Sequence, residues 1–129
     1  MKLRRNYTCP LEIIHDIIRG KWKTIIIFQL RNGKKSFSQL LHSINGISEK
    51  MLSEQLHELK EFGFIDKYSY ESYPLKVEYF LTERGEKMLS AVKIIQNIGI
   101  EYMIDNGMEK ILNEKGIEYN KSAYIQKSK

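Results

Sequence analysis

The sequence predicts a mainly α domain with a small β-hairpin, arranged as a winged helix-turn-helix. Three observations lead there. A helix with marked ends, over residues 47–63, follows a shorter helical segment across the turn Asn45-Gly46. Two strand-like segments meeting at Pro74 come next. A long helix, apolar around most of its circumference, begins after Thr82. Helix, turn, helix and two-stranded ribbon is the order of a winged helix, whose second helix reads the major groove of DNA.

In chain order, Pro10 suits the first turn of a short helix over 10–18. Ile13, Ile14, Ile17 and Ile18 recur at helical spacing, and Gly20 stops the run. A second helix is expected from Lys21 or Trp22 to about Arg31, with Trp22, Ile26 and Leu30 along one side. Its stretch Ile25-Ile26-Ile27-Phe28 suits a buried strand equally well on propensity, but its length and the stop at Gly33 favour helix. Residues 34–37 cross briefly in extended form. Ser38 then caps a third helix that carries Leu40, Leu41 and Ile44.

The fourth helix is the best delimited. Ser48 is a good N-cap, because its hydroxyl accepts an orphan N–H of the first turn, and Gly63 fits the left-handed residue that ends a helix. On a wheel of about 100° per residue, Leu52, Leu56 and Leu59 form an apolar seam flanked by Met51 and Phe62. Lys50, Ser53, Glu54, His57 and Glu61 occupy the opposite face. Amphipathicity of this kind is common in ordinary surface helices. The neighbouring elements are what turn it into a candidate reading helix.

Residues 64–73 are rich in Ile and Tyr, and 75–79 alternate apolar and polar as a half-buried strand should. Pro74 cannot donate to a ladder, so it marks the turn or an edge. In this wing, Lys67, Lys76, Tyr68, Tyr70 and Tyr73 are candidates to touch a nucleic-acid backbone, although the tyrosines suit covering the sheet as well; Lys76, near the tip, is the stronger candidate. Thr82 caps the long helix, which runs to about Ile104 with Glu83 favourable in its first turn. Its apolar residues, from Met88 to Met103, cover about two-thirds of the circumference, wider than the stripe that one core requires. A homodimer built from this helix and the first is therefore expected. A short helix over 108–114 and a basic tail complete the chain. The expected organisation is one domain over 1–129: N-terminal helices 8–31, helix-turn-helix 37–62, wing 64–81, dimerisation helices 82–115 and tail 116–129.

The 129 residues carry a net charge of +5, unevenly placed. Residues 1–36 hold nine Lys or Arg and two acids, whereas 37–64 hold two Lys and four Glu. Contacts to phosphates would thus come from the flanks, including Lys34 and Lys35, rather than from the mildly acidic reading helix. Composition is globular, no stretch approaches a membrane span, and Glu12, His15 and Asp16 interrupt any signal-peptide core. A cytoplasmic location is expected. The sequence lacks phosphate-cradling, dinucleotide-binding and nucleophile-elbow motifs, and its three histidines have no ligand spacing. No enzyme activity, cofactor or metal is expected.

Cys9, the single cysteine, has two readings. It is either a small buried apolar residue or a redox switch at a helix start, where the dipole and nearby Arg4 and Arg5 favour thiolate. With no second cysteine, a switch would need an intersubunit disulfide, a small-thiol adduct or S-alkylation.

The segments GKWKTIIIFQL, FSQLLHSINGISEKMLSEQLHELKEFGFI and YPLKVEYFLTERG, in this order, resemble the HxlR family of bacterial transcription regulators, relatives of the MarR type. The resemblance runs over about 9–102. It implies a dimeric regulator of double-stranded DNA that binds a pseudo-palindromic operator, and it suggests repression. Some members of the family are thought to sense quinones, aldehydes or oxidants through a cysteine at the place of Cys9, so an electrophile or oxidant is an expected effector. The candidate DNA contacts are Lys34, Lys35, Ser38, Gln39, Ser48, Lys50, Ser53, Glu54, His57, Lys67 and Lys76. Lys50, Ser53 and His57 can donate to bases or phosphates; Glu54 can accept from cytosine or pair with Lys50 one turn away. Two rivals remain: a winged helix used as a protein-docking module, and a ligand or redox sensor with a vestigial DNA role.

Overall fold

Four of the six helices among the described residues start where a side chain accepts an orphan backbone N–H, and these starts set the architecture. The computed structural model describes residues 2–120. In order the elements are α1 (Pro10–Ile18), α2 (Lys23–Gln29), β1 (Lys35–Ser36), α3 (Phe37–Ser43), α4 (Glu49–Glu61), β2 (Ile65–Tyr70), β3 (Lys76–Leu81), α5 (Glu83–Asp105) and α6 (Glu109–Glu114). Cys9 Sγ accepts from Leu11 N at 3.4 Å, Ser48 Oγ from Met51 N at 3.0 Å and Thr82 Oγ1 from Gly85 N at 3.1 Å.

The fourth capped start corrects the sequence reading. Ser36, not Ser38, caps α3: its Oγ accepts from Gln39 N at 3.1 Å, and Gln39 Oε1 accepts from Ser36 N at 2.8 Å. This reciprocal capping box satisfies two orphan donors, which a cap at Ser38 would not. Ser38 lies within the first turn of α3. Helix α2 is also shorter than the expected 21–31, because its last turn tightens: Leu30 N reaches both Ile26 O and Ile27 O at 3.2 Å.

The expected hairpin is present as β2 and β3, paired antiparallel from Ile65↔Leu81 to Tyr70↔Lys76. The short crossing before α3 adds a third strand: β1 pairs with β3 through Lys35↔Tyr79 and Ser36↔Glu78, so the order is β1-β3-β2. Leu75 stands outside β3 and is 71% exposed, so the alternating run serves the sheet only from Lys76 onward.

The described residues form two compact units, one up to Val92 and one from Lys93 onward, the division falling inside α5. In the first, Ile26 and Ile27 of α2, Leu40 of α3, Leu52, Leu56 and Leu59 of α4, and Ile65 and Leu81 of the sheet make one buried cluster with Leu89 and Val92. The leucine seam of α4 thus faces the core as its spacing requires. The junction after α4 is tightly fastened. Thr82 N donates to Phe64 O at 3.1 Å, Thr82 Oγ1 donates to Gly63 O at 2.5 Å and Arg84 Nη1 donates to Phe62 O at 2.8 Å. A Cβ at Gly85 would lie 2.0 Å from Phe64 O, so only glycine permits this approach.

In the second unit, Gly107 (φ 75°) turns the chain from α5 into α6, and Met108 N donates to Met103 O at 2.8 Å. Ile100 and Leu112 are buried there, and Tyr119 OH donates to Glu109 Oε2 at 2.9 Å. Ile94, Ile95, Ile98 and Tyr102 of α5 are exposed, between 48% and 67%. From residue 121 onward, the expected basic tail lies outside the described residues.

Candidate nucleic-acid interface

Helix α4 begins at the Ser48 cap after a turn in which Gly46 takes φ 87°. With its leucines buried, Lys50, Ser53, Glu54 and His57 are left exposed together on the far face. Among the described residues neither Lys50 nor Glu54 enters an ion pair, so the alternative in which they only pair with each other does not occur. Both remain available to an incoming ligand. Ser48 keeps its hydroxyl hydrogen as a donor while its oxygen serves the cap.

A lateral tie that the sequence reading missed holds α4 in place. Lys23 of α2 is 3% exposed, and its Nζ donates to Gln55 Oε1 at 2.9 Å and to Glu58 Oε1 at 2.5 Å. The Lys23 ammonium, chiefly by this hydrogen bond, holds the Glu58 carboxyl below its usual range against the opposing effect of burial. A buried ammonium needs such partners. The only hint in the sequence was a lysine at the head of an apolar run; its partners lie 32 and 35 positions away, beyond any helical periodicity.

The flanking candidates divide by what already holds them. Lys67 is exposed on β2. Lys34 Nζ stands over the Tyr68 ring at 5.2 Å and the Phe80 ring at 6.0 Å, which joins the approach to α3 with the wing. Lys35 is half-buried in β1, opposite Tyr79. Lys76 Nζ lies 3.8 Å from Glu78 Oε2 and over the Tyr70 ring at 5.1 Å, while Tyr70 OH donates to Glu78 Oε1 at 2.7 Å. Part of the Lys76 charge is therefore answered within the wing. Glu78 also holds the Tyr70 phenol above its usual range. Tyr73 projects fully into solvent, whereas Tyr68 and Tyr70 pack edge to face at 4.7 Å between centroids. Ser38 is exposed on α3; Gln39 is exposed too, with its amide oxygen committed to the capping box.

Cys9 is an exposed free thiol at the N-cap of α1, not the buried apolar residue of the first reading. The segment before it is anchored. Asp16 Oδ2 accepts from Tyr7 OH at 2.8 Å and Arg4 Nε at 3.0 Å, and its Oδ1 accepts from Arg19 Nη2 at 3.0 Å. Tyr7 first, then Arg4 and Arg19, keep the Asp16 carboxyl below its usual range. No helix among the described residues is long and apolar enough to cross a membrane.

The sequence profile of HxlR-like helix-turn-helix proteins matches residues 17–106. The chain belongs to the HxlR-like family. It is a helix-turn-helix transcription regulator with a MarR-like winged-helix fold, as the motifs implied. This HxlR-like chain is 39% identical over 94 residues to YdeP of Bacillus subtilis (strain 168), an uncharacterized HTH-type transcriptional regulator, over 73% of each chain. A Porphyromonas gingivalis W83 protein described as a MarR-family transcriptional regulator superposes with a TM-score of 0.71 at 38% identity, covering 78% of this chain and 98% of that one. The oxidized form of the redox regulator HypR superposes with a TM-score of 0.67 at 37% identity, covering 70% and 94%.

Proposed function

We propose that this HxlR-like protein is a homodimeric repressor that reads a pseudo-palindromic operator in double-stranded DNA. The observation that carries this reading is the polar face of α4, held by a buried seam behind it and by Lys23 at its side. Lys50, Ser53, Glu54 and His57 would meet base edges, with Ser38, Gln39 and Ser48 beside them. Lys34, Lys35, Lys67 and Lys76 would meet phosphates. The exposed apolar residues Ile94, Ile95, Ile98 and Tyr102 of α5, with Leu11 of α1, support a second copy as partner.

Redox or electrophile control through Cys9 belongs to the same reading. Its support is an exposed thiol at a helix N-cap and similarity to the redox regulator HypR. The sulfur would be alkylated by an electrophile, or oxidised to a disulfide with a small thiol or with the partner's own Cys9, the oxidant taking up both electrons.

Selection from a random pool of duplex DNA at near-physiological salt, with and without a thiol oxidant, tests the proposal. Enrichment of an inverted repeat with half-site centres about 34 Å apart is expected. No enrichment from a folded dimer would replace DNA reading with protein docking, which the surplus of Glu over Lys in residues 37–64 favours.

A further inference from the structure

Beside α4, on a different side from its exposed polar face, the chain forms a cleft of about 750 Å³. Lys2, Arg4, Arg19 and Lys23 line it together with Asp16, Glu58 and Gln55. Among the described residues four cations face two carboxylates, a net charge of +2. Both carboxylates are already engaged, Asp16 by Arg4, Tyr7 and Arg19 and Glu58 by Lys23.

The cations are not used up in the same way. A guanidinium carries five N–H donors, and Asp16 takes one from Arg4 and one from Arg19. The ion pairs fix both guanidinium groups, which remain 54% and 65% exposed. Lys2 adds an exposed ammonium. Two anchored forks with unused donors, backed by a third cation, are suited to an anion that can accept several hydrogen bonds at once.

We propose that this cleft binds a small dianion, of the phosphate or dicarboxylate class. A phosphate of bound duplex is the competing source of the same chemistry. At about 100° per residue, the mean direction of Gln55 and Glu58 lies about a third of a turn around α4 from that of Lys50, Ser53, Glu54 and His57, although Glu58 stands one turn after Glu54. A duplex centred on that exposed face would be turned away from the middle of the cleft, which favours a free anion.

The site has a route to the reading helix. Lys23 both lines the cleft and ties α2 to Gln55 and Glu58 of α4. An anion in the cleft competes with those side chains for the ammonium and loosens the tie. This consequence rests on α4 being the DNA reader; the binding site itself does not.

The test uses the full chain without DNA. Inorganic phosphate and succinate are titrated at constant ionic strength against chloride, following the fluorescence of Trp22, next to Lys23, and the melting temperature. Saturable binding of at least one probe is expected, weakened about tenfold in Arg19→Gln, which removes one charged donor. Lys2→Gln, at an exposed position, supplies the same comparison if Arg19→Gln loosens α1. A response equal to that of chloride, or saturable binding unchanged in both variants, overturns the proposal. So does a cleft that answers only to a short duplex, with Lys2→Gln weakening duplex binding and neither small anion binding.

Discussion

Lys23 Nζ lies 2.5 Å from Glu58 Oε1, joining a lysine that is 3% exposed to the side of α4. Removing the ammonium takes a donor from Gln55 Oε1 and from a partly buried carboxylate. Glu58 retains some access to water, so the loss is smaller than for a fully enclosed pair. Lys23→Met should lower stability by about 1–3 kcal/mol, read from urea denaturation. A double-mutant cycle with Glu58→Gln should give a coupling of about 1 kcal/mol or more; additive effects would show that the pair contributes nothing of its own.

The same pair gives a pH dependence with a definite sign. The Glu58 carboxyl titrates below its ordinary value of 4.5 in the folded chain. Its contribution is therefore present above that value and disappears as pH falls through the lower, folded one. The stability difference between the parent and Glu58→Gln should be constant near neutral pH and shrink on acidification below about 4.5. A difference that grows in acid would mean that the pair is not the source.

Ser36 and Ser38 separate two accounts of how α3 begins. Ser36→Ala removes half of the capping box and should cost about 1 kcal/mol. Ser38→Ala, at an exposed position within the first turn, should stay within about 0.5 kcal/mol. Equal costs would return the cap to Ser38.

In the wing, Lys67 and Lys76 should differ in their hold on DNA although both are exposed lysines. Lys67→Ala should weaken operator and random duplex alike and reduce the slope of log affinity against log salt by about 1. Lys76→Ala should do the same to a smaller degree, because Glu78 already answers part of its charge. Neutralising that neighbour with Glu78→Gln should raise affinity for both duplexes. An effect of Lys76→Ala on the operator alone would make it a base reader instead.

Cys9→Ser should separate structure from sensing. Serine is a strong N-cap, so α1 should keep or gain stability. DNA binding should persist, and the response to electrophiles should vanish. A variant that still loses DNA binding when treated with an electrophile would acquit Cys9.

How much of this was legible in the sequence follows from the range of the interactions. The leucine seam of α4, the Thr82 cap and the hairpin around Pro74 are local patterns, and the sequence shows them where they lie. The cap of α3 was local too, but two serines two residues apart compete; only the Ser36–Gln39 spacing distinguishes them. Strand β1 shows in the sequence only as extended chain, because two residues have no period and their partners are more than forty residues away. The Lys23 tie and the Asp16 hub depend on side chains converging from separate elements, which no window of sequence displays. For the candidate interface, the wheel identified which α4 side chains are exposed, but not that Gln39 is committed to a cap or Lys76 to an acidic neighbour.

The fastening of Phe62, Gly63 and Phe64 by Thr82, Arg84 and the bare backbone of Gly85 also fixes an order of events at the ribosome. A nascent chain that has emerged only as far as Leu81 holds all of α4, the backbone bonds that end it and the whole wing, yet none of the contacts that Thr82, Arg84 and Gly85 make with Phe62, Gly63 and Phe64. Those arrive with the next four residues to emerge. Chains fold from the amino end as they are made, so the junction after α4 is completed only when translation has passed Gly85, and a product that stops short of it lacks the ties from Thr82 and Arg84 to that junction.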